Sequence, residues 1–370
     1  MARLLIKHPE IRPYRDPLFD AVAMYHQARF LFNQPADNPR YDHAVIGTAK
    51  PSMWRDGRSV RSFFREVALG NYDVLVSSTP TASATIAAVL IARLRRKGVV
   101  IWTEDWRGAF GGWKGRVRRL LLAMVYRLTS AHFVTSTRTV NFLKKHFTMP
   151  ETDIFFALQC NRDLAEVKPA STRFPVTENA FVFLFLARMI PIKGLDTLLR
   201  AFAQVQPKHP EAFLLIVGDG DELPRCKQLA QELELRNYLF YGAVPDSDVA
   251  RKAACFAACD VFVLPSRIVG NQTEGWGLVV GEAMSMRRPV ITTDAVGCSE
   301  DMIEEGVNGY VVRHMSAVDL AKAMNLTLQH RDRIPAMGQA SREIFDRQIS
   351  YERMSRVLMD AVAYAMRKSL

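Results

Sequence analysis

Two acidic side chains, Glu274 and Glu282, stand on either side of a small-residue turn and an apolar run, Gly275-Trp276-Gly277-Leu278-Val279-Val280-Gly281. Upstream, Cys259 to Leu264 reads as a buried parallel strand that ends in the Pro265-Ser266 turn. Downstream, Leu278 to Met286 carries apolar residues at helical spacing. Gly275, Trp276 and Gly277 therefore lead into a helix N-terminus. The amides of residues 275–279, Leu278 and Val279 included, lack carbonyl partners there, and the helix dipole favours a phosphate. Glycine lets a diphosphate approach the backbone. Glu274 lies ahead of the helix, facing outward, and Glu282 one to two turns inside it. One loop thus offers contacts to a phosphate and to two hydroxyl-rich groups, the chemistry of a sugar nucleotide. Taken alone, the same residues also describe a helix N-cap, formed by Thr273 and Glu274, plus a surface glutamate.

A second cationic pair has matching chemistry. Phe181 to Ala187 reads as a strand that delivers Arg188-Met189-Ile190-Pro191-Ile192-Lys193-Gly194. On a proline-stiffened loop at a strand's carboxyl end, Arg188 and Lys193 are placed to converge on one diphosphate. Phe213 to Val217 is a strand ending at Gly218-Asp219-Gly220, a turn where a base or ribose can lie close. Asp219-Gly220-Asp221 and Asp246-Ser247-Asp248 have nominal metal-binding spacing. The first is better read as a glycine turn and the second as a helix N-cap, so no metal is expected.

The elements that must position these groups alternate strand and helix twice. Residues 3–7, 44–47, 73–78, 98–102 and 131–136 read as strands, and 18–32, 55–69, 82–96 and 116–127 as helices. Between the first strand and the first helix lies a stiff loop, Pro9 to Pro17, carrying Tyr14 and Arg15 at a carboxyl edge suited to ligands. Thr103-Glu104-Asp105 follows the 98–102 strand; either acid can bind a sugar hydroxyl or cap a helix. A polar, proline-bearing stretch at 168–175 marks a domain boundary, after which the alternation restarts. The expected division is 1–172, 173–348 and a terminal helix over 349–370.

Glu274 to Glu282 resembles the E-x7-E motif of retaining GT-B glycosyltransferases of family GT4, the glycosyl transferases group 1. Phe181 to Val312 is similar to their donor-binding domain, and Arg188 to Gly194 to their G-R-x4-K-G segment, with Ala187 in place of glycine. The resemblance implies an α/β GT-B fold, with two Rossmann-like doubly wound domains facing each other across a cleft that closes on substrate. It implies transfer of a hexose from a UDP- or GDP-sugar to a glycan or lipid-linked acceptor, with retention and without metal, in cell-surface polysaccharide or glycolipid synthesis. No cofactor is implied beyond the nucleotide-diphosphate sugar as co-substrate. Glu274 then holds the donor sugar, Glu282 the ribose, and the backbone near Val244 the base. Arg188, Lys193 and the helix amides neutralise the departing diphosphate. The Tyr14–Arg15 loop faces the acceptor, and Glu104 or Asp105 stands where members often place a histidine. The terminal helix returns to brace the first domain.

Composition narrows the alternatives. The chain has 370 residues, 49% of them hydrophobic, which suits two packed cores and excludes a disordered protein. No apolar run reaches the length of a spanning helix, and the N-terminus reads as a first strand, too short for a signal peptide. The five cysteines are scattered in apolar contexts as reduced core thiols, in keeping with a cytoplasmic protein. His132, at the start of a buried strand, reads as structural. Residues 1–175 hold 27 Lys/Arg against 14 Asp/Glu, a surplus of 13; the remainder holds 22 against 24. Such a basic half suits an acidic partner. Trp113, the neighbouring glycines and the cations beside Val117, Leu121 and Met124 suit an interfacial helix on an anionic membrane; a core helix with a solvated basic edge has the same composition. No zinc, helix-turn-helix or RNP-type signature supports nucleic acid as the partner. A nucleotide-sugar epimerase of GT-B architecture remains the alternative.

Overall fold

The computed structural model describes residues 1–8, 13–32, 43–45, 57–78, 80, 83–108, 110–177 and 179–369. The chain forms two compact units, Met1–Cys160 with Ser350–Leu370, and Asn161–Ile349. The first contains β1 (Arg3–His8), α1 (Asp16–Tyr25), β2 (Gln27–Phe32), β3 (His43–Val45), α2 (Gly57–Leu69), β4 (Val74–Ser78), α3 (Ser83–Leu94), β5 (Gly98–Thr103), α4 (Gly112–Leu128), β6 (Ala131–Val134), α5 (Thr137–Phe147) and β7 (Ile154–Phe156). The second contains β8 (Phe181–Leu186), α6 (Leu195–Val205), β9 (Ala212–Val217), α7 (Leu223–Glu232), β10 (Tyr238–Gly242), α8 (Val249–Ala257), β11 (Val261–Leu264), α9 (Leu278–Ser285), β12 (Val290–Thr293), α10 (Ser299–Met302), β13 (Gly309–Val312), α11 (Ala317–Gln329) and α12 (Ile334–Gln348). A last helix, α13 (Tyr351–Arg367), belongs to the first unit.

Both sheets are parallel. Their strand orders are β3-β2-β1-β4-β5-β6-β7 and β10-β9-β8-β11-β12-β13. In each, the order reverses beside the unit's first strand, between β1 and β4 and between β8 and β11. Ligands of doubly wound sheets bind at the carboxyl edge of such switch points. Helices cover both faces, so the central strands are apolar throughout: all six residues of β8 are buried, and Phe181, Phe183 and Phe185 head the second unit's core. Leu75, Val99 and Ile101 serve the first unit in the same way. α13 seals that unit from the other side. The Tyr364 hydroxyl donates to Asp153 Oδ1 at 2.7 Å, Tyr351 Oη donates to the Tyr14 carbonyl, and a Cβ at Gly98 would stand 2.8 Å from the Ala365 carbonyl oxygen.

Three expectations need correction. The helix expected over 18–32 stops at Tyr25, and Gln27–Phe32 is a strand paired residue for residue with β1. Its Phe30 and Leu31 are apolar at a spacing that both a helix and a buried strand allow; pairing along the whole of β1 decides for the strand. The 168–175 stretch lies within the second unit rather than at its edge. Residues 161–172 are held there by Leu164 N donating to Ser285 Oγ at 3.0 Å and by the Arg342–Asp163 ion pair at 2.8 Å. α3 ends at Leu94, short of Arg96, which takes a left-handed turn conformation at φ 55°. Residues 9–12 of the proline loop, 46–47 of the second strand, and residues 55–56 and 82 of two helices lie outside the described residues.

Candidate functional site

The second unit's switch point is built by two loops fastened to each other. After β8 the chain runs through Arg188 to Lys193, and after β11 through Ser266 to Glu274. Arg267 joins them: its amide donates to the Ile192 carbonyl at 2.8 Å, its Nε to the Pro191 carbonyl at 2.7 Å, and its guanidinium pairs with Asp196 at 2.8 Å. Gly194, at φ 65°, allows the approach, since a Cβ there would lie 2.1 Å from the Pro265 carbonyl oxygen. The β9 loop is as close, with Met189 N donating to the Asp219 carbonyl at 2.7 Å and Gly218 N to the Gly242 carbonyl at 2.8 Å. The carboxyl ends of β8, β9, β10 and β11 thus bring Arg188, Gly218, half-buried Val244 and Glu274 to one edge of the sheet.

At the centre, Lys193 Nζ pairs with Glu274 Oε2, and Ser266 Oγ donates to the same oxygen at 3.3 Å. Both partners of the pair are mostly buried. Arg188 is exposed, and its side chain makes no hydrogen bond or ion pair among the described residues. Gly277, at φ 96°, is the N-cap of α9, which has neither a side-chain cap nor an acid in its first turn. Its leading amides, of Leu278 and Val279, have no helical carbonyl within reach. Trp276 is buried, so its contribution at the turn is backbone; Cys298 N holds its carbonyl at 2.9 Å. The two loops thus carry an exposed guanidinium and a lysine paired with a carboxylate that two donors hold, and the second of them leads into the uncapped start of α9. Anion binding beside an oriented hydroxyl acceptor is the chemistry this permits.

Glu282 is buried on α9, and its Oε1 accepts from Lys252 Nζ at 2.9 Å; Lys252, also buried, reaches Asp246 at 3.4 Å. Burial pushes the Glu282 carboxyl above the usual range, and the Lys252 ammonium pulls it back. The bland alternative, Thr273 and Glu274 as N-cap with a surface Glu282, does not hold. Residues 275–277 separate Glu274 from the helix, and Glu282 is interior. Lys252, Ser266 and Arg267 were missed by sequence reasoning. Lys252 precedes its glutamate by 30 residues and sits among alanines, with no local signal. A strand-end serine before a glycine turn was the only hint of Ser266.

In the first unit, Tyr14, Arg15 and Glu104 come together. Arg15 is buried against Trp102, its Cζ 4.5 Å from the ring centre; Nη2 donates to Glu104 Oε1 at 3.0 Å and Nε to Tyr14 Oη at 3.3 Å. Asp105 is exposed beside them, and α4 begins after Gly111, so neither acid caps it. His132 is buried in β6, and desolvation pushes its pKa down to about 4. All five cysteines are buried and free; burial pushes Cys160 and Cys259 up to about 12. Asp248 caps α8, accepting from Arg251 N at 3.1 Å, and Asp219 accepts from Gly220 N at 2.7 Å. Among the described residues no group of three His, Cys, Asp or Glu side chains is gathered as a metal site.

Residues 168–344 match the family model described as glycosyl transferases group 1. A GDP-mannose-dependent alpha-(1-6)-phosphatidylinositol monomannoside mannosyltransferase of Mycobacterium tuberculosis (strain ATCC 25618 / H37Rv) is 33% identical over 178 residues, 47% of this chain and 45% of that protein. A D-inositol 3-phosphate glycosyltransferase of Geodermatophilus obscurus is 33% identical over 176 residues, 45% of this chain and 37% of that one. The matches therefore span less than half the length of these curated relatives. Anabaena HepE, solved in complex with UDP, superposes with a TM-score of 0.75 over 98% of this chain and 100% of that chain at 18% identity, a likeness of fold. The architecture is GT-B, with two Rossmann-like doubly wound units.

Proposed function

We propose, from the premise that the second unit is a glycosyl transferases group 1 domain in a GT-B protein, that this chain transfers a hexose from a nucleotide-diphosphate sugar to a hydroxyl acceptor with retention. The observation that carries the reading is the Lys193–Glu274 pair beside exposed Arg188 and the uncapped start of α9. The sugar's bond to the leaving phosphate oxygen breaks as the acceptor oxygen bonds the same face of the anomeric carbon, and the acceptor proton passes to the departing phosphate. Arg188, Lys193 and the amides of Leu278 and Val279 neutralise the charge that develops there, by preorganised electrostatics and without a metal ion. Glu274, fixed by Lys193 and Ser266, orients the sugar hydroxyls. Glu282 takes the ribose hydroxyls through its second oxygen, the backbone near Gly218 and Val244 lies beside the base, and Tyr14, Arg15, Glu104 and Asp105 serve the acceptor.

The donor is a UDP- or GDP-sugar. Relatives named for GDP-mannose and a fold neighbour solved with UDP support that pair. The acceptor is a glycan or lipid-linked molecule of cell-surface polysaccharide or glycolipid synthesis; the matched relatives are named for acceptors built on inositol. The protein acts in the cytoplasm, with its basic first unit against an anionic membrane. Incubation with UDP-, GDP- and ADP-sugars, with and without acceptor, tests the reading. Transfer that needs acceptor supports it, and isomerisation of donor alone would make the protein an epimerase instead.

A further inference from the structure

The carboxyl edge of the first sheet holds three buried polar groups that the fold does not satisfy. Arg15 Nη1, Trp102 Nε1 and Ser78 Oγ are shut from solvent and have no hydrogen-bond partner among the described residues. They are neighbours. Ser78 and Trp102 are register partners near the ends of β4 and β5, so their side chains leave the same face of the sheet. The Arg15 guanidinium lies over the Trp102 ring, 4.5 Å from its centre. All three belong to the first unit, beside its switch point between β1 and β4. Buried donors are seldom left unmet, because each then costs its full desolvation.

The unmet groups define what would satisfy them. A guanidinium and an indole N–H can only donate, and a serine hydroxyl can do so as well. A hydroxyl placed among them brings a proton of its own; an oxyanion brings lone pairs alone. The adjacent carboxylate, Glu104, already accepts from Arg15 Nη2 at 3.0 Å, which leaves Nη1 without a partner. The local charge agrees. Lys7, one place before the end of β1, pairs in register with Ser77 and so leaves the opposite face. It is buried, and its ammonium donates at 3.1 Å to Thr85 Oγ1, a neutral partner. Desolvation pulls it down to about 8, which keeps it a cation at neutral pH. α3, which follows β4, has no acid in its first turn to offset its dipole. Asp105 faces Arg118, and Asp16 stands at the N-terminus of α1. Two buried cations and a helix end thus stand against the Glu104 carboxylate at this edge.

We propose that Arg15 Nη1, Trp102 Nε1 and Ser78 Oγ bind the oxyanion of an acidic sugar acceptor, a carboxylate or a phosphate. The oxyanion takes the three donors. Glu104, the more exposed member of its pair, accepts a neighbouring sugar hydroxyl with its second oxygen. The proposal rests on the reading of the first unit as acceptor-binding and names the acceptor's chemistry. A buried water would meet the same donors, and the test separates it.

The test uses the full chain without nucleotide and reads thermal shift and calorimetric titration with glucuronate, glucose 6-phosphate and glucose. Glucuronate or glucose 6-phosphate should raise the melting temperature and glucose should not; the one that does so tells carboxylate from phosphate. Ser78→Ala and Trp102→Phe should each weaken binding of that sugar about 10-fold or more, the loss of one hydrogen bond to a charged group. Without sugar, Ser78→Ala should melt with the wild type or above it, since it removes a buried hydroxyl that had no partner. Trp102→Phe also removes volume, so Ser78→Ala decides if that variant unfolds, and circular dichroism reports the fold of both. Equal binding of glucose and the acidic sugars, no binding of either acidic sugar, or unchanged affinity in Ser78→Ala would overturn the site. So would a Ser78→Ala protein that melts lower without sugar, which would assign the hydroxyl to a structural water. Binding is read without donor or transfer, so a failed transferase reading leaves it standing and its own failure leaves transfer untouched.

Discussion

Replacing Lys252 by methionine tests the interior of the second unit most directly. The change keeps the length and apolar stem of the side chain and deletes its charge. Lys252 and Glu282 expose only 8% and 11% of their side chains, so the lost partner leaves a carboxylate with little access to water. Breaking a buried pair from one side costs about 3–5 kcal/mol. At the lower figure, about 3 kcal/mol, the second unit's transition should fall by roughly 6–12 °C at pH 8. The sign of the pH dependence follows from Glu282. Its folded pKa already lies above the unfolded value, so the carboxyl's contribution to stability is fully present below the ordinary glutamate range and is lost as pH rises through the folded value. Both Lys252 contributions lower that pKa, and their removal raises it further. The deficit of Lys252→Met relative to wild type should therefore be largest at alkaline pH and shrink on acidification, as Glu282 takes up a proton. Adding Glu282→Gln should recover much of the loss. The assay is thermal unfolding of the nucleotide-free single and double variants across pH, with nucleotide titrations alongside. A variant that unfolds with the wild type at pH 8, or a deficit that is flat with pH, would refute the coupling.

Glu274→Ala should leave the fold and nucleotide affinity near wild type and cut transfer about 10²-fold or more, because the sugar loses its orienting carboxylate; steady-state kinetics with parallel nucleotide titration decides it. Arg188→Ala and Lys193→Ala should each weaken nucleotide-diphosphate binding, and the double variant should lose less than the two losses added, since both act on one group. EDTA should leave transfer intact, and strict dependence on a divalent cation would count against the proposed chemistry. Gly194→Ala forces a Cβ onto the Pro265 carbonyl and should separate the β8 and β11 loops, seen as a raised donor KM and a lowered Tm in the same preparation.

The sequence by itself determined the alternation, the two parallel sheets and the sheet edge that carries the candidate site. These are local properties: apolar runs too continuous for a half-exposed strand, glycine turns at their carboxyl ends, and a helix beginning after Gly277. It also brought Arg188, Lys193 and Glu274 forward as a set, because each sits at the end of a recognisable strand and strands of a doubly wound sheet end on one side. Where one local pattern served two structures, sequence alone chose wrongly: residues 27–32 satisfy helical spacing, and only pairing with β1 makes them a strand.

Tertiary structure decided which groups face one another. Nothing local says that Lys193 meets Glu274 across 81 residues rather than a phosphate alone, that Lys252 is spent on Glu282, or that Arg267 ties the two loops together. Glu282 looked equally like a surface acid until the fold buried it and set Lys252 against its carboxylate. The same is true of α4: its composition fits a core helix or an interfacial one, and only the packing of Leu122, Val125 and Tyr126 shows which apolar face is left over. The physical reason is one throughout. Backbone hydrogen bonding and side-chain periodicity are written within a few residues, whereas an ion pair or an uncovered face depends on what long-range packing places, or does not place, on the other side.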